Sequence, residues 1–262
     1  MLTRRGAPLE IIDRILRFGE EEDWRYLELR GAADVERGAI VSDTFFQHTL
    51  SLEGTECVLF AGLDRSHRRN VRKAVQRGVE VQCLDTQAGI DEYFRLHCVT
   101  RRRHGLPPQP YRFFRLLHDL LIRRGLGIIV LARAKGRYVA GAVCLNFNHN
   151  AIYKYGASDG AFHALRPNNL VIWQAIRYFR AAGAKTFSFG RTDPADEGLL
   201  RFKRGWGAHE SSLLYHRIPI GRYTVSTSAR RSLYHRVGGE VFRRLPIPVL
   251  RTIGCLAYPH LG

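Results

Sequence analysis

Cysteine is sparse in this 262-residue chain. The five present, Cys57, Cys83, Cys98, Cys144 and Cys255, are odd in number, and none forms a C-x-x-C pair with another. That argues against a disulfide framework or a zinc ribbon. Long apolar runs are also missing: LGIIVLA at 126–132 falls well short of the roughly 20 residues a bilayer-crossing helix requires. The N-terminal MLTRRGAPLEIIDRILRFGEEED interleaves charge with its apolar residues and lacks the core of a secretory signal, so a cytoplasmic protein is expected. Acidic residues are few, 24 against 41 Lys and Arg, which leaves a net charge of +17. Such an excess favours an anionic partner, whether RNA, a phosphorylated metabolite or a lipid headgroup, with a solvated basic surface as the alternative. Low-complexity sequence is absent, and 45% hydrophobic with 11% aromatic residues excludes an intrinsically disordered chain.

What is present reads as regular structure. Ile11, Ile12, Ile15 and Leu16 share one face of a helix expected to end at Gly19, and RYLELR at 25–30 reads as a strand. HTLSL at 48–52 reads as a second strand, followed by a helical stretch broken near Gly62 and ending at Gly78. Strand 79–83, helices 88–103 and 110–124, and an antiparallel meander over 128–133, 138–147 and 151–157 come next. Helix 168–182, strand 185–189, the helix EGLLRFKRG and a last strand at 211–217 complete the order β-α-α-β-β-β-α-β-α-β. This is the layout of a GNAT-type acyltransferase domain. The segment 227–262 is basic and amphipathic, with six arginines, one glutamate and the run PIPVLRTIGCLAY.

Several residues are candidates for chemistry. The helix DRSHRRNVRKAVQRG turns Val71, Ala74 and Val75 toward a core and leaves Arg69, Arg72 and their neighbours to hold phosphates. Strict alternation puts Tyr153 and Tyr155 on one side of their strand, as core residues or as donors to a substrate lying across the sheet. In PNNLVIWQAI, Asn168 or Asn169 is placed to cap a helix whose N-terminus favours an anion. The turn before it, ALRPNNL, carries proline and no glycine, which argues against wrapping the pyrophosphate of acetyl-coenzyme A. Asp193 and Asp196 read as caps. Lys203 ends a short helix beside Phe202 and precedes Gly205, Trp206 and Gly207, which let the chain turn closely past whatever Lys203 faces. A cation there can stabilise the oxyanion of acyl transfer. His97 and His104, seven apart, lack a third ligand, so no metal site is expected. Ser158 ends a meander strand and does not sit on the elbow a hydrolase nucleophile requires.

Taken together, SHRRNVRKAVQRGVEV, GRYVAGAVCLNFNHNAIYKYGAS, PNNLVIWQAI and FSFGRTDPADEGLLRFKRGWGA resemble the FemAB-like acyltransferase superfamily over about 48–217. The resemblance implies paired GNAT-like halves and transfer of an amino acid from aminoacyl-tRNA to the peptide of a cell-wall precursor; other members accompany exopolysaccharide or surface-protein export. It matches the superfamily's paired tyrosines to Tyr153 and Tyr155, its Phe-Lys to Phe202 and Lys203, and its basic helix to Arg69 and Arg72. The lysine is the residue that the resemblance implicates in transfer.

The expectation is therefore an α/β (α+β) protein with a GNAT-like, mostly antiparallel sheet flanked by helices. Residues 1–62 would form a shortened first half, 63–217 the complete GNAT-like domain and 218–262 a basic tail. The expected activity is N-acyl transfer to an amine of a cell-envelope or polysaccharide precursor, phosphorylated or lipid-linked. Lys203 would be catalytic, and Tyr153, Tyr155, Arg69, Arg72, Asn169, Arg191 and Phe202 would bind substrate. The acyl donor would be aminoacyl-tRNA or acyl-coenzyme A, with no further cofactor. tRNA and, through 227–262, an anionic inner-membrane surface are the candidate macromolecular partners. The competing readings are a coenzyme A-dependent acetyltransferase and a non-catalytic RNA-binding or scaffold protein on the same fold.

Overall fold

A computed structural model describes residues 9–31, 38–223 and 239–258. The elements are α1 (Leu9–Glu21), β1 (Tyr26–Arg30), β2 (Ile40–Ser51), α2 (Glu56–Gly62), α3 (Arg65–Gln76), β3 (Glu80–Leu84), α4 (Gln87–Arg103) and α5 (Tyr111–Leu120). There follow β4 (Gly127–Ala134), β5 (Arg137–Phe147), β6 (Asn150–Ser158), α6 (Pro167–Ala181), β7 (Thr186–Thr192), α7 (Glu197–Arg204), β8 (His209–Pro219) and α8 (Ile247–Ala257). The mixed, mostly antiparallel sheet with flanking helices is the fold the sequence order implies. The chain forms two compact units, one of residues 1–47, 191–200 and 210–232, the other of 48–190, 201–209 and 233–262.

In the first unit the strand order is β1-β8-β2, with β1 antiparallel to β8 from Tyr26 opposite Pro219 to Arg30 opposite Tyr215. Glu28 bridges Arg30 at 2.7 Å and Arg217 at 2.8 Å. Helix α1 runs through Gly19 to Glu21, so this glycine is not the stop it resembles. It is a point of close approach: a Cβ there would lie 2.8 Å from Ile220 Cδ1 and 3.0 Å from the Trp24 ring.

In the second unit the order is β2-β7-β6-β5-β4-β3. Strand β4 is apolar at consecutive positions because helices cover both faces. Ile128, Val130 and Ala132 face α2, α3 and α6, and Ile129 and Leu131 face α4 and α5. Helix α8 folds back on α4: Leu250 is fully buried, Gly254 meets the Pro108 carbonyl, and Arg101 donates to the Tyr258 hydroxyl at 2.9 Å. Over 247–258 the tail is thus a helix docked on its own domain, with Val249 and Leu256 left exposed. Residues 227–238 and 259–262 of that tail lie outside the described residues.

His97 sits on α4 against Phe114, at 4.8 Å between ring centroids, and beside Tyr93 and Phe94. Burial, with Arg101 nearby, lowers its pKa to about 4 against the pull of Gln109. The folded chain thus refuses a proton that the unfolded chain accepts below about pH 6.5. Stability from this source is intact above pH 6.5 and is lost as the pH falls toward 4, by about 3 kcal/mol in all. Urea denaturation of the parent and His97→Leu at pH 7 and pH 4 should show the parent losing that much more than the variant; parallel losses would remove His97 from the account.

Candidate active site

Two strands part company at the centre of the second unit. Strands β6 and β7 run parallel for three residue pairs, ending at Ile152 opposite Ser188. The reason lies two residues on. Gly190 adopts φ +68°, its N–H donates to Ser188 Oγ at 3.2 Å, and its carbonyl accepts from Lys203 Nζ at 3.1 Å. Both backbone groups are thus engaged by side chains at the point where a ladder would need them. Only glycine takes this left-handed conformation without strain.

Lys203 is 5% exposed, unusual for a lysine. It is presented by α7, whose N-terminus Asp196 caps as expected by accepting from the Leu199 N–H at 3.0 Å; Asp193 instead accepts from the Ala195 N–H at 2.9 Å in the turn before the helix. At the other end the close turn through Gly205 and Gly207 serves the seating of α7 on α2 and α3. A Cβ on Gly205 would lie within 2.6 Å of Asp64 Oδ2 and His67 Nδ1, and one on Gly207 2.8 Å from the Gly62 carbonyl. The Asp64 N–H donates to the Gly205 carbonyl at 2.9 Å. Around this seam His67 meets Phe202 at 5.1 Å and Trp206 at 4.7 Å between ring centroids, and Trp206 stacks on Phe189 at 6.0 Å.

His67 escaped the sequence reading, where SHRR counted only as positive charge. The readable signal is Asp64 as N-cap with His67, Val71 and Ala74 on one helical stripe. Asp64 Oδ1 accepts from the His67 backbone N–H at 2.6 Å and lies 2.8 Å from its Nδ1. Partial burial works against the Asp64 carboxylate, and these bonds with that from Ser66 outweigh it, holding its pKa below the ordinary value.

The tyrosine expectation needs correction. Val143 stands opposite Tyr155 and its neighbour Cys144 opposite Tyr153, so Lys154 is an extra, unpaired residue. This bulge flips the alternation. Tyr153 packs into the core cluster shared by α3 and α6, and Tyr155 into the opposite cluster against Phe113 and Phe114. Burial, with Cys144 beside it, pushes the Tyr153 phenol well above its usual pKa, which keeps it protonated. Its hydroxyl occupies the place a Cβ on Gly156 would take.

The remaining candidates divide. Phe202 adjoins Lys203. Arg72 stacks over Phe60 at 5.4 Å and, with Arg68 and Arg177, edges a groove of about 810 Å³ floored by Phe60, Val71, Leu170 and Trp173. Arg69 is exposed on α3 and does not line that groove. Arg191 belongs to the first unit, where it lies 4.6 Å over the Phe45 ring and donates to the Tyr215 hydroxyl at 2.8 Å. Neither asparagine caps α6: the N-cap is Arg166 at φ +60° with no side-chain bond, and Asn168 donates instead to Ser158 Oγ at 3.3 Å. Asn169 is buried, and its amide nitrogen has no hydrogen-bond partner among the described residues.

Parallel strands that part after three pairs, beneath a meander and its following helix, are the arrangement of an acyltransferase of the GNAT class. A family model described as an acetyltransferase (GNAT) domain matches residues 63–204, more than half of the chain, and the protein belongs to that family. Over 96 residues it is 31% identical to the lipid II:glycine glycyltransferase of Staphylococcus aureus, a match covering 34% of this chain and 23% of that relative. The matched region is thus under a quarter of the relative's length. Among solved structures, the fold is similar to that of FemX, with a TM-score of 0.66 at 17% identity over 79% of this chain and 75% of that one. It is also similar to L-PGS of Bacillus licheniformis, with a TM-score of 0.56 at 11% identity over 87% and 77%.

Gly205→Ala tests the seam directly. The added methyl has no room against Asp64 and His67, so the variant should lose about 1 to 3 kcal/mol of stability in denaturant titrations. Gly183→Ala is a control at a left-handed position with open space, where only backbone strain of about 1 kcal/mol applies. Equal losses in the two would show that the seam is not tightly packed.

Proposed function

We propose that this chain transfers an aminoacyl group to a primary amine on the peptide of a lipid- or nucleotide-linked cell-envelope precursor. The observation that carries the reading is Lys203: a buried ammonium, anchored on Gly190, at the opening between β6 and β7. The acceptor amine attacks the ester carbonyl, the carbonyl oxygen gathers charge beside Lys203, and the C–O bond to the ribose breaks as the amine proton passes to the leaving oxygen. Tyr153, on the same face of the sheet, donates its proton-bearing phenol to the substrate, and Phe202 shapes the apolar wall. Arg72, with Arg68 one turn before it on the same groove edge, receives phosphate from the carrier of the acceptor. Support for this acceptor comes from the glycyltransferase likeness, which is a statement about that relative.

An aminoacyl ester is favoured over acyl-coenzyme A by the start of α6. Pro167 occupies its first turn and removes a donor, Arg166 takes the left-handed conformation there, and the turn has no glycine to wrap a pyrophosphate. Transfer assays offering glycyl-tRNA or acetyl-coenzyme A with a lipid-linked pentapeptide acceptor test this choice. Turnover with acetyl-coenzyme A alone would replace the proposal by the acetyltransferase reading.

Lys203→Ala should lower kcat by about 100- to 1,000-fold, equivalent to about 2.7 to 4 kcal/mol, with the fold retained by circular dichroism. Lys203→Arg should also fail, because a planar fork does not fit a seat built for a compact ammonium. Wild-type turnover in either variant would remove Lys203 from the chemistry. The bulge makes a further distinction: Tyr153→Phe should weaken acceptor affinity by about 0.5 to 1.5 kcal/mol, and Tyr155→Phe should leave it unchanged. The reverse pattern would place the acceptor on the other face.

A further inference from the structure

Helix α5 carries more apolar surface than its fold uses. Phe114 and Leu117 face the core, yet Phe113, Leu116 and Leu120, spaced three and four apart on a single stripe, are 39%, 41% and 50% exposed. The stripe is continued at one end of the sheet. The Asn146 N–H donates to the Leu126 carbonyl at 2.9 Å, which sets the end of β5 beside the segment that leaves α5, and there Phe147 is 70% exposed.

The charges around this surface are mostly positive, with Asp119 the acidic residue on the same helix. Arg112 and Arg115 flank the stripe on α5, and Arg123 and Arg124 follow it toward Phe147; all four are exposed. Among the described residues none of them makes an ion pair with a carboxylate, and the nearby Asp119 lies 3.0 Å from His118 Nδ1. Cations this close repel one another unless an anionic surface is opposite. The apolar stripe says which kind of surface. RNA would satisfy the arginines and leave Leu116 and Leu120 without a use, and a second copy related by a two-fold axis would oppose the same four cations.

We infer that the α5 stripe and the Phe147 tip form a docking surface for an anionic lipid bilayer, with the apolar side chains entering the headgroup boundary and the arginines meeting lipid phosphates. The inference rests on this surface alone and is independent of the acyl donor and acceptor proposed above. It places the membrane contact on the acyltransferase domain and not on the C-terminal segment, where α8 is docked on α4.

Co-sedimentation of the full chain with vesicles of phosphatidylcholine, and of phosphatidylcholine mixed with phosphatidylglycerol, tests it. The parent should bind the anionic vesicles and release as salt is raised past about 0.15 M. Arg112→Gln/Arg115→Gln/Leu116→Gln/Leu120→Gln should bind about tenfold or more weakly, and Arg243→Gln/Arg244→Gln should bind like the parent. Phe147→Trp adds a probe that does not depend on the fold of the multiple variant: its extra emission should be quenched by brominated lipid. Absence of anionic-vesicle binding by the parent, equal binding by the α5 variant, or loss confined to the Arg243/Arg244 variant would each overturn the inference. So would a parent dimer that the α5 substitutions dissociate without any vesicle binding.

Discussion

The hydrogen bond from Lys203 Nζ to the Gly190 carbonyl is the contact on which the candidate site depends. A lysine is buried only where its ammonium is met by acceptors, and Gly190 supplies one from two residues beyond the last β6–β7 pair. There β6 and β7 cease to pair after three residues. The opening and the cation at its edge therefore meet at one point in the backbone, a glycine at φ +68°. Lys203 could not reach that carbonyl from a loosely held helix. The short α7 is fixed by the Gly205 and Gly207 approaches and by the aromatic seam of His67, Phe202 and Trp206.

Much of this was legible in the sequence. Hydrophobic periodicity with glycine and proline punctuation marked the meander, α6 and α7, and capping rules correctly assigned Asp196, whereas Asp193 closes the turn before the helix. Charge and glycine spacing drew attention to Lys203. What escaped depends on pairing across space. The bulge at Lys154 is a property of two strands in register, so strict alternation put Tyr153 and Tyr155 on one face. His67 was hidden by its basic neighbours, and Gly19 looked like a helix stop because its reason, the Ile220 side chain, lies some two hundred residues away in the chain. The capping rule failed at Asn168 and Asn169, since a left-handed Arg166 and Pro167 already begin α6.

The excess of positive charge, uninformative as a total, becomes specific once placed. On α3 it edges an apolar groove, with Arg68 and Arg72 one turn apart, and Arg69 looks elsewhere. In the first unit it is spent internally, Arg217 on Glu28 and Arg191 on Tyr215 and Phe45. Within the described residues, then, some arginines build the fold and others have no acidic neighbour to quiet them.

The seat of the Tyr153 hydroxyl against Gly156 constrains how this site can drift. The phenol fills the volume that any side chain at 156 would need, so alanine there must displace the Tyr153 ring. In a lineage that first trimmed position 153, the strand would in the interval carry a hole where the ring had been. Either order of substitution therefore passes through a strained or hollowed intermediate, so the two positions are expected to change together.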